Sequence, residues 1–263
     1  MAMKLNINPV RKRGIPLTKA EFISGDFLVC GKIPEKIKAL IIDVDGTLFE
    51  LDAPFFKARR TAQLRWLSQR LDLSLPDLER AVTAKRSSMS VKGKRVGFSE
   101  IVYSLDPTIE CAEWQKVMTQ SALIHNFSCR LRQNPDLEDA ISDLTADRIE
   151  GAKIIFATNA SAGTAELVLK MLFGARLFNH GMFGVVGHDK KISKPDPAFF
   201  TELVAPCLRA KGVALKHAIS IGDRLGDDCL AAVSGGVGAA INVSGPKELA
   251  VVLRAVRELR NGA

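Results

Sequence analysis

Two aspartates one residue apart, Asp43-Val44-Asp45, stand directly after the aliphatic run Ala39-Leu-Ile-Ile and before Gly46-Thr47. A single aspartate in such a place usually caps a helix or a turn. Here, however, chemically useful groups recur in like positions. Thr158 and Asn159 follow Lys153-Ile-Ile-Phe-Ala, and Asp223 follows Ala218-Ile-Ser-Ile-Gly, with Asp227 and Asp228 close behind. Ser193-Lys194-Pro195-Asp196-Pro197 lies between these last two runs. Gathered in one crevice, these residues are several carboxylates, one hydroxyl and one ammonium. Clustered carboxylates repel one another and call for a cation, and an all-oxygen donor set suits Mg²⁺. Lys194 adds a fixed positive charge for an anion. Backbone N–H groups around Asn159, ahead of a helix that Ser161 can cap, suit phosphate oxygens. The chemistry within reach is metal plus phosphate.

An open parallel sheet would bring these groups together, because its ligand crevice lies beyond the C-terminal ends of the strands. Four aliphatic runs read as strands buried on both faces: 39–44, 153–159, 218–223 and 238–243. Helical patterns alternate with them at about 136–149, 161–173, 196–211, 226–234 and 246–259. Pro195 favours an extended Lys194, and Asp196-Pro197 reads as a cap followed by Pro in the first turn. The alternation predicts an α/β fold, a doubly wound parallel sheet. The stretch 51–129 differs. It has no strand pattern, and helices are expected at 53–71, 75–89, 97–104 and 111–125, the first with Leu64, Leu67 and Leu71 on one face. The expected organisation is an N-terminal extension over 1–36, mostly loop, a catalytic core over 37–50 and 130–263, and a helical cap over 51–129. Pro9, Gly14, Pro16, Gly25, Gly31 and Pro34 are the reason for reading the extension as loop.

Composition narrows the class. Apolar residues are 47% of the 263 and charged residues 25%, which excludes a disordered or collagen-like chain. The longest charge-free stretch, Cys229 to Pro246, is rich in Gly, Ser and Ala and is no membrane span. Five scattered cysteines without a C-x-x-C spacing argue against a zinc ribbon or a disulfide scaffold. With no apolar leader at the start, a cytoplasmic location is expected. Net charge is +8, unevenly spread: residues 51–100 hold 11 basic and 5 acidic groups, residues 101–150 hold 4 and 9. Such a surplus suits nucleic acid or small anionic substrates, and the second is expected.

The four motifs, in this order, resemble the haloacid dehalogenase-like superfamily of phosphohydrolases. The residues that carry the likeness are Asp43-Val-Asp45-Gly-Thr47, Ala-Thr158-Asn159, Ser-Lys194-Pro-Asp-Pro and Gly-Asp223-Arg-Leu-Gly-Asp227-Asp228. The resemblance implies a Rossmann-like core. It implies Asp43 as nucleophile, forming an aspartyl-phosphate, and Asp45 as general acid and then base. Thr158, Asn159 and Lys194 would bind phosphate. Asp43, the main-chain carbonyl of Asp45, Asp223 and Asp228 would hold Mg²⁺, with Asp228 aligning better than Asp227. An acid at position 45 distinguishes phosphatases and phosphomutases from the dehalogenases, whose halide leaves without a proton. Asp43 and Thr158 are 115 positions apart but Thr158 and Lys194 only 36, which places the cap after the first motif.

The expected activity is therefore a Mg²⁺-dependent phosphomonoesterase acting on a small phosphorylated metabolite. Ser90-Val-Lys-Gly-Lys and Asn134-Pro-Asp-Leu are similar to pyrimidine 5′-nucleotidase-like members, which suggests a nucleoside 5′-monophosphate. Phosphoglycolate or sugar-phosphate phosphatases, a phosphomutase, and an inactive binding protein of the same fold are the alternatives. Lys92, Lys94 and Arg95, beside Gly93 and Gly97, are the expected specificity loop of the cap. The histidines lack ligand spacing, and Trp66 and Trp114 read as cap core. The sequence leaves the oligomeric state open.

Overall fold

A computed structural model describes residues 4–12, 15–22, 25–50, 53–90, 96–123, 134–146, 152–174, 183–189 and 191–261. An eight-stranded sheet forms its centre, in the order β1-β2-β3-β8-β7-β4-β5-β6. The strands are β1 (Lys4–Lys12), β2 (Ile15–Phe22), β3 (Gly25–Gly31), β4 (Ala39–Ile42), β5 (Lys153–Ala157), β6 (Phe183–Val186), β7 (Ala218–Gly222) and β8 (Ala239–Asn242). β8, β7, β4, β5 and β6 run parallel to one another. The chain leaves β4 for β5 and β6 on one side and returns to β7 and β8 on the other. The switch in direction therefore falls at β4, and its C-terminal end carries Asp43 and Asp45.

The aliphatic runs form central strands because both their faces are covered. Leu40, Ile42, Ile154, Phe156, Ile219 and Ile221 pack with α5 (Pro135–Ala146), α6 (Ala162–Phe173) and α9 (Pro246–Asn261). Their alternate neighbours Ala39, Ile41, Ile155 and Ala218 pack on the other face with Phe199, Phe200, Val204 and Leu208. Those four residues come from a π-helical stretch, Phe199–Val204, that continues as α7 (Ala205–Ala210). A similar stretch, Leu225–Leu230, continues as α8 (Ala231–Ser234). Residues of one strand thus feed two cores, as the period of two requires.

Four helices lie between β4 and α5: α1 (Ala53–Leu71), α2 (Leu75–Met89), α3 (Phe98–Leu105) and α4 (Cys111–Leu123). They enclose a core of their own, with Leu67, Leu78, Ile101 and Trp114 fully buried. Ser74 caps α2 by accepting from the Asp77 N–H. α4 lies against α6 of the central unit. Among the described residues no helix is long and apolar enough to cross a membrane.

The N-terminal segment departs from expectation. The expectation is mostly loop, but its described residues form three antiparallel strands, and β3 pairs with β8 from Leu28–Asn242 to Gly31–Ala239. A β8 left uncovered would present an edge of unpaired N–H and C=O groups. β3 satisfies that edge and carries Phe27 and Val29 into the main core. Gly and Pro at spacings of a few residues punctuate hairpins as well as loops, so punctuation alone could not exclude strands. The short β6, Phe-Gly-Val-Val, also went unpredicted. If β3 belongs to the core, Phe27→Ala should lower stability by about 3–5 kcal/mol in urea unfolding. A loss below about 0.5 kcal/mol would place the segment outside the core.

Candidate active site

At the C-terminal end of β4, Asp43 donates its main-chain N–H to the Ile221 carbonyl of β7 at 2.9 Å. Both oxygens of its carboxylate are held. Oδ1 accepts from Lys194 Nζ at 2.6 Å and Oδ2 from Thr47 Oγ1 at 3.2 Å. Thr47 Oγ1 in turn accepts the Asp223 N–H at 3.0 Å, so one hydroxyl ties the β4 and β7 loops together. Gly46 has φ +90°, and a Cβ there would stand 2.7 Å from Asp223 Oδ2. Glycine is required for that approach.

Lys194 is buried at 4% exposure and uses all three of its donors: Asp43 Oδ1, Asp228 Oδ1 at 2.5 Å and the Ala157 carbonyl at 3.0 Å. Burial alone would strip its proton, but Asp228 and Asp43 more than reverse this and hold the ammonium above its ordinary range. The Asn159 side chain fixes the lysine's own backbone. Its Nδ2 donates to the Lys194 carbonyl at 2.9 Å, and its Oδ1 accepts the Lys194 N–H at 2.7 Å. Asn159 therefore positions Lys194 with its amide.

Asp45 points away from this cluster. Its Oδ2 accepts from Thr158 Oγ1 at 3.1 Å, and Thr158 Oγ1 accepts the Ala160 N–H at 3.0 Å. Desolvation raises the Asp45 carboxyl above the usual carboxylate range; Arg59 opposes the rise and Asp43 adds to it. A carboxyl raised by burial beside a carboxylate held by an ammonium and a hydroxyl is the pairing expected of an acid and a nucleophile.

Of the two aspartates after Asp223, Asp228 reaches the cluster. It accepts from Lys194 through Oδ1 and from the Arg224 N–H through Oδ2 at 3.0 Å. Asp227 faces Arg224 Nη1 at 3.7 Å instead. Gly222 lets Asp228 in, since a Cβ there would lie 2.4 Å from the Asp228 Cβ. Asp43, Asp223 and Asp228 each offer one oxygen within 4.8 Å of the others. Desolvation and the Asp43 charge push Asp223 up, and Asp228 to about 7. Lys194 pairs with Asp43 and Asp228 and Arg224 Nε stands 3.9 Å from Asp223 Oδ2, while Asp223 Oδ1 is buried with no hydrogen-bond partner. An all-oxygen trio with excess negative charge and one unsatisfied donor atom fits Mg²⁺. The Asp45 side chain lies outside the trio, so its expected share is the main-chain carbonyl.

Lys92, Lys94 and Arg95 lie outside the described residues. Other cap residues reach the crevice. Arg59, Arg60 and Phe98 line, with Asp45, Asn159 and Lys194, a cavity of about 460 Å³. Sequence reasoning passed over them, although the Leu64-Leu67-Leu71 stripe of α1 runs back onto Arg60, a basic residue on an apolar face. It also passed over His188, which is buried where cap meets core, its Nε2 2.9 Å from Tyr103 Oη.

The fold and site together define a hydrolase with the residue set of a phosphatase. The sequence pattern of the haloacid dehalogenase-like hydrolases matches residues 37–236, and the chain belongs to that family. No curated protein matches it significantly. Similar solved structures include a HAD phosphatase from Thermococcus onnurineus, at 20% identity and TM-score 0.45, covering 76% of this chain and 83% of that one. CbbY from Rhodobacter sphaeroides, in complex with phosphate, gives 18% and 0.47, covering 77% and 82%. A 2-haloacid dehalogenase from Pseudomonas syringae gives 20% and 0.44, covering 76% and 84%. At such distances only the residues of the site can separate these chemistries.

If the acidic trio binds Mg²⁺, saturating MgCl₂ should raise Tm by about 5 °C, the effect of a ligand near 100-fold its Kd on a chain of this size. Asp223→Asn should abolish the rise. An unchanged Tm in the unsubstituted protein would mean that the trio does not bind the ion.

Proposed function

We propose that the chain is a Mg²⁺-dependent phosphomonoesterase working through an aspartyl-phosphate on Asp43, with a small phosphorylated metabolite as substrate. The observation that carries this reading is the contrast between two carboxyls two residues apart. Asp43 is fixed by the Lys194 ammonium and the Thr47 hydroxyl, whereas Asp45 is raised by burial and bonded to Thr158. An oxygen of Asp43 attacks phosphorus and the ester oxygen departs with the proton of Asp45. Asp45, now ionised, takes a proton from water, which attacks the phosphorus and returns the Asp43 carboxylate and free phosphate. Lys194 and the Thr158 hydroxyl serve the phosphoryl oxygens. Mg²⁺, held by Asp43, Asp223, Asp228 and the Asp45 carbonyl, would neutralise charge on the transferring group.

Asp43→Asn replaces the nucleophile by a near-isosteric amide. Turnover should drop below about 1% of wild type, a loss of at least ~2.7 kcal/mol in transition-state stabilisation, and no acid-stable phospho-enzyme should form. Residual activity well above that level, in folded protein, would exclude the covalent route.

Asp45→Asn separates leaving groups. Alkyl phosphates need the proton and aryl phosphates need it less, so the alkyl rate should fall at least about tenfold further than the aryl rate. The raised carboxyl stays protonated to higher pH than an ordinary aspartic acid. In the wild type, alkyl-ester turnover should hold through the acid range and fall as pH passes the Asp45 pKa; the variant should lack that limb. Equal losses on both ester types would remove Asp45 from the acid role.

A further inference from the structure

The start of α1 carries two adjacent arginines into the crevice. Arg59 is buried at 9% exposure, and its Nε has no hydrogen-bond partner. Arg60 has an Nη buried without one. Among the described residues neither guanidinium forms an ion pair; Asp45 acts on Arg59 through its field alone, and Arg59 and Arg86 both repel Arg60. Burial pushes the Arg59 guanidinium down and Arg60 to about 9, which reflects the same shortage of counter-charge.

Such an arrangement is costly, since a buried charge without a partner loses several kcal/mol of hydration. Packing holds it in place. The Arg60 guanidinium lies over the Phe98 ring, 3.4 Å from its centroid, with its rim left for other acceptors. Leu64 and Leu67, one turn and two turns further along α1, anchor the helix in the cap core. The cavity that these arginines line is continuous with Asp45 and Lys194, and its 460 Å³ is within the usual range for small-molecule sites. On the far side, beside Asp43, Lys194 and the acidic trio already serve the transferring phosphoryl group. An anion that satisfies Arg59 and Arg60 must therefore belong to the other end of the substrate.

We propose that Arg59 and Arg60 form an anion subsite for the leaving group, and that the preferred substrates are phosphate monoesters whose alcohol carries a second anionic group, a carboxylate or another phosphate, on a short chain. The proposal rests on the phosphomonoesterase reading above. It ranks doubly anionic esters ahead of nucleoside 5′-monophosphates, whose leaving group is uncharged. It also moves the source of selectivity from the Lys92–Arg95 loop to the first turns of α1.

Three matched three-carbon esters test it: propyl phosphate, 3-phosphonooxypropanoate and propane-1,3-diol bisphosphate. Wild-type protein should prefer at least one charged ester over propyl phosphate by about tenfold or more in kcat/KM, and the better of the two identifies the second anion. Arg60→Met should bring that ratio close to unity, and Arg60→Lys should restore part of it. Calorimetric titration of the same esters gives a parallel ratio of affinities that needs no turnover. Propyl phosphate hydrolysed as well as both charged esters, or a ratio unmoved by Arg60→Met, would overturn the subsite. If no ester and no aryl phosphate is hydrolysed, the phosphomonoesterase reading fails. The affinity ratio then decides the subsite by itself: a preference of about tenfold for a charged ester, lost in Arg60→Met, supports it, and equal affinities overturn it.

Discussion

One buried ammonium governs the geometry of this crevice. Lys194 sits between Asp43 from β4 and Asp228 from the β7 side, with its third proton on the Ala157 carbonyl of β5. Three neighbouring strands are thereby tied to one point charge on a loop that follows β6. Removing either kind of partner would leave charge uncompensated away from water, a loss of about 3–5 kcal/mol. The surrounding details follow from that demand. Asn159 clamps the lysine backbone, Thr47 bridges the two aspartate loops, and Gly46 and Gly222 leave space for carboxylates where a Cβ would collide. Even so the balance of charge is incomplete, because Lys194 and the more distant Arg224 face three carboxylates.

The cap completes the site from above and is coupled to the core by polar contacts. Thr119 Oγ1 lies 2.7 Å from Ser161 Oγ, and Gln115 Nε2 donates to the His188 carbonyl at 2.7 Å. Tyr103 meets His188, and Lys191 donates to the Pro107 carbonyl at 3.1 Å. These contacts lie on α3, α4 and their connection. Hydrogen bonds between two surfaces are worth little net when water can replace them, about 0.5–1.5 kcal/mol each. Such a seam can hold a cap over its substrate and still separate to exchange product.

Much of this was legible in the sequence, for identifiable physical reasons. β4, β5, β7 and β8 are continuous aliphatic runs because both faces are covered, and the helices of the cap fell within two residues of their expected ends. Asp43, Asp45, Thr158 and Asp223 stood out as candidates because each follows directly on a strand. What escaped depended on distant partners. β3 is a strand because β8 needs an edge partner, a fact about residues 239–242 and not about residues 25–31. β6 is four residues long, and its Gly184 is pressed against Cys207 and Ile155, as a Cβ there would lie 2.8 Å from both. Arg59 and Arg60 belong to no motif, and only packing brings them into the crevice.

The position of the cap follows from the topology of the sheet. The loop after β4 leaves the sheet at the switch point, where the chain departs to β5 on one side and later returns to β7 on the other. Neighbouring loops diverge there, so an insertion after β4 can stand over the crevice without displacing a helix from either face. Its first helix necessarily starts close to the acidic cluster, because only a short connection separates Asp43 from Ala53. Residues in the first two turns of α1 are thus the cap positions most firmly tied to the reacting centre. Arg59 and Arg60 occupy the second and third turns, and among the described residues Asp45 is the one carboxylate whose field acts on Arg59. A group that must both exclude water and recognise the departing alcohol is best placed there, where the length of the connection itself limits how far it can move.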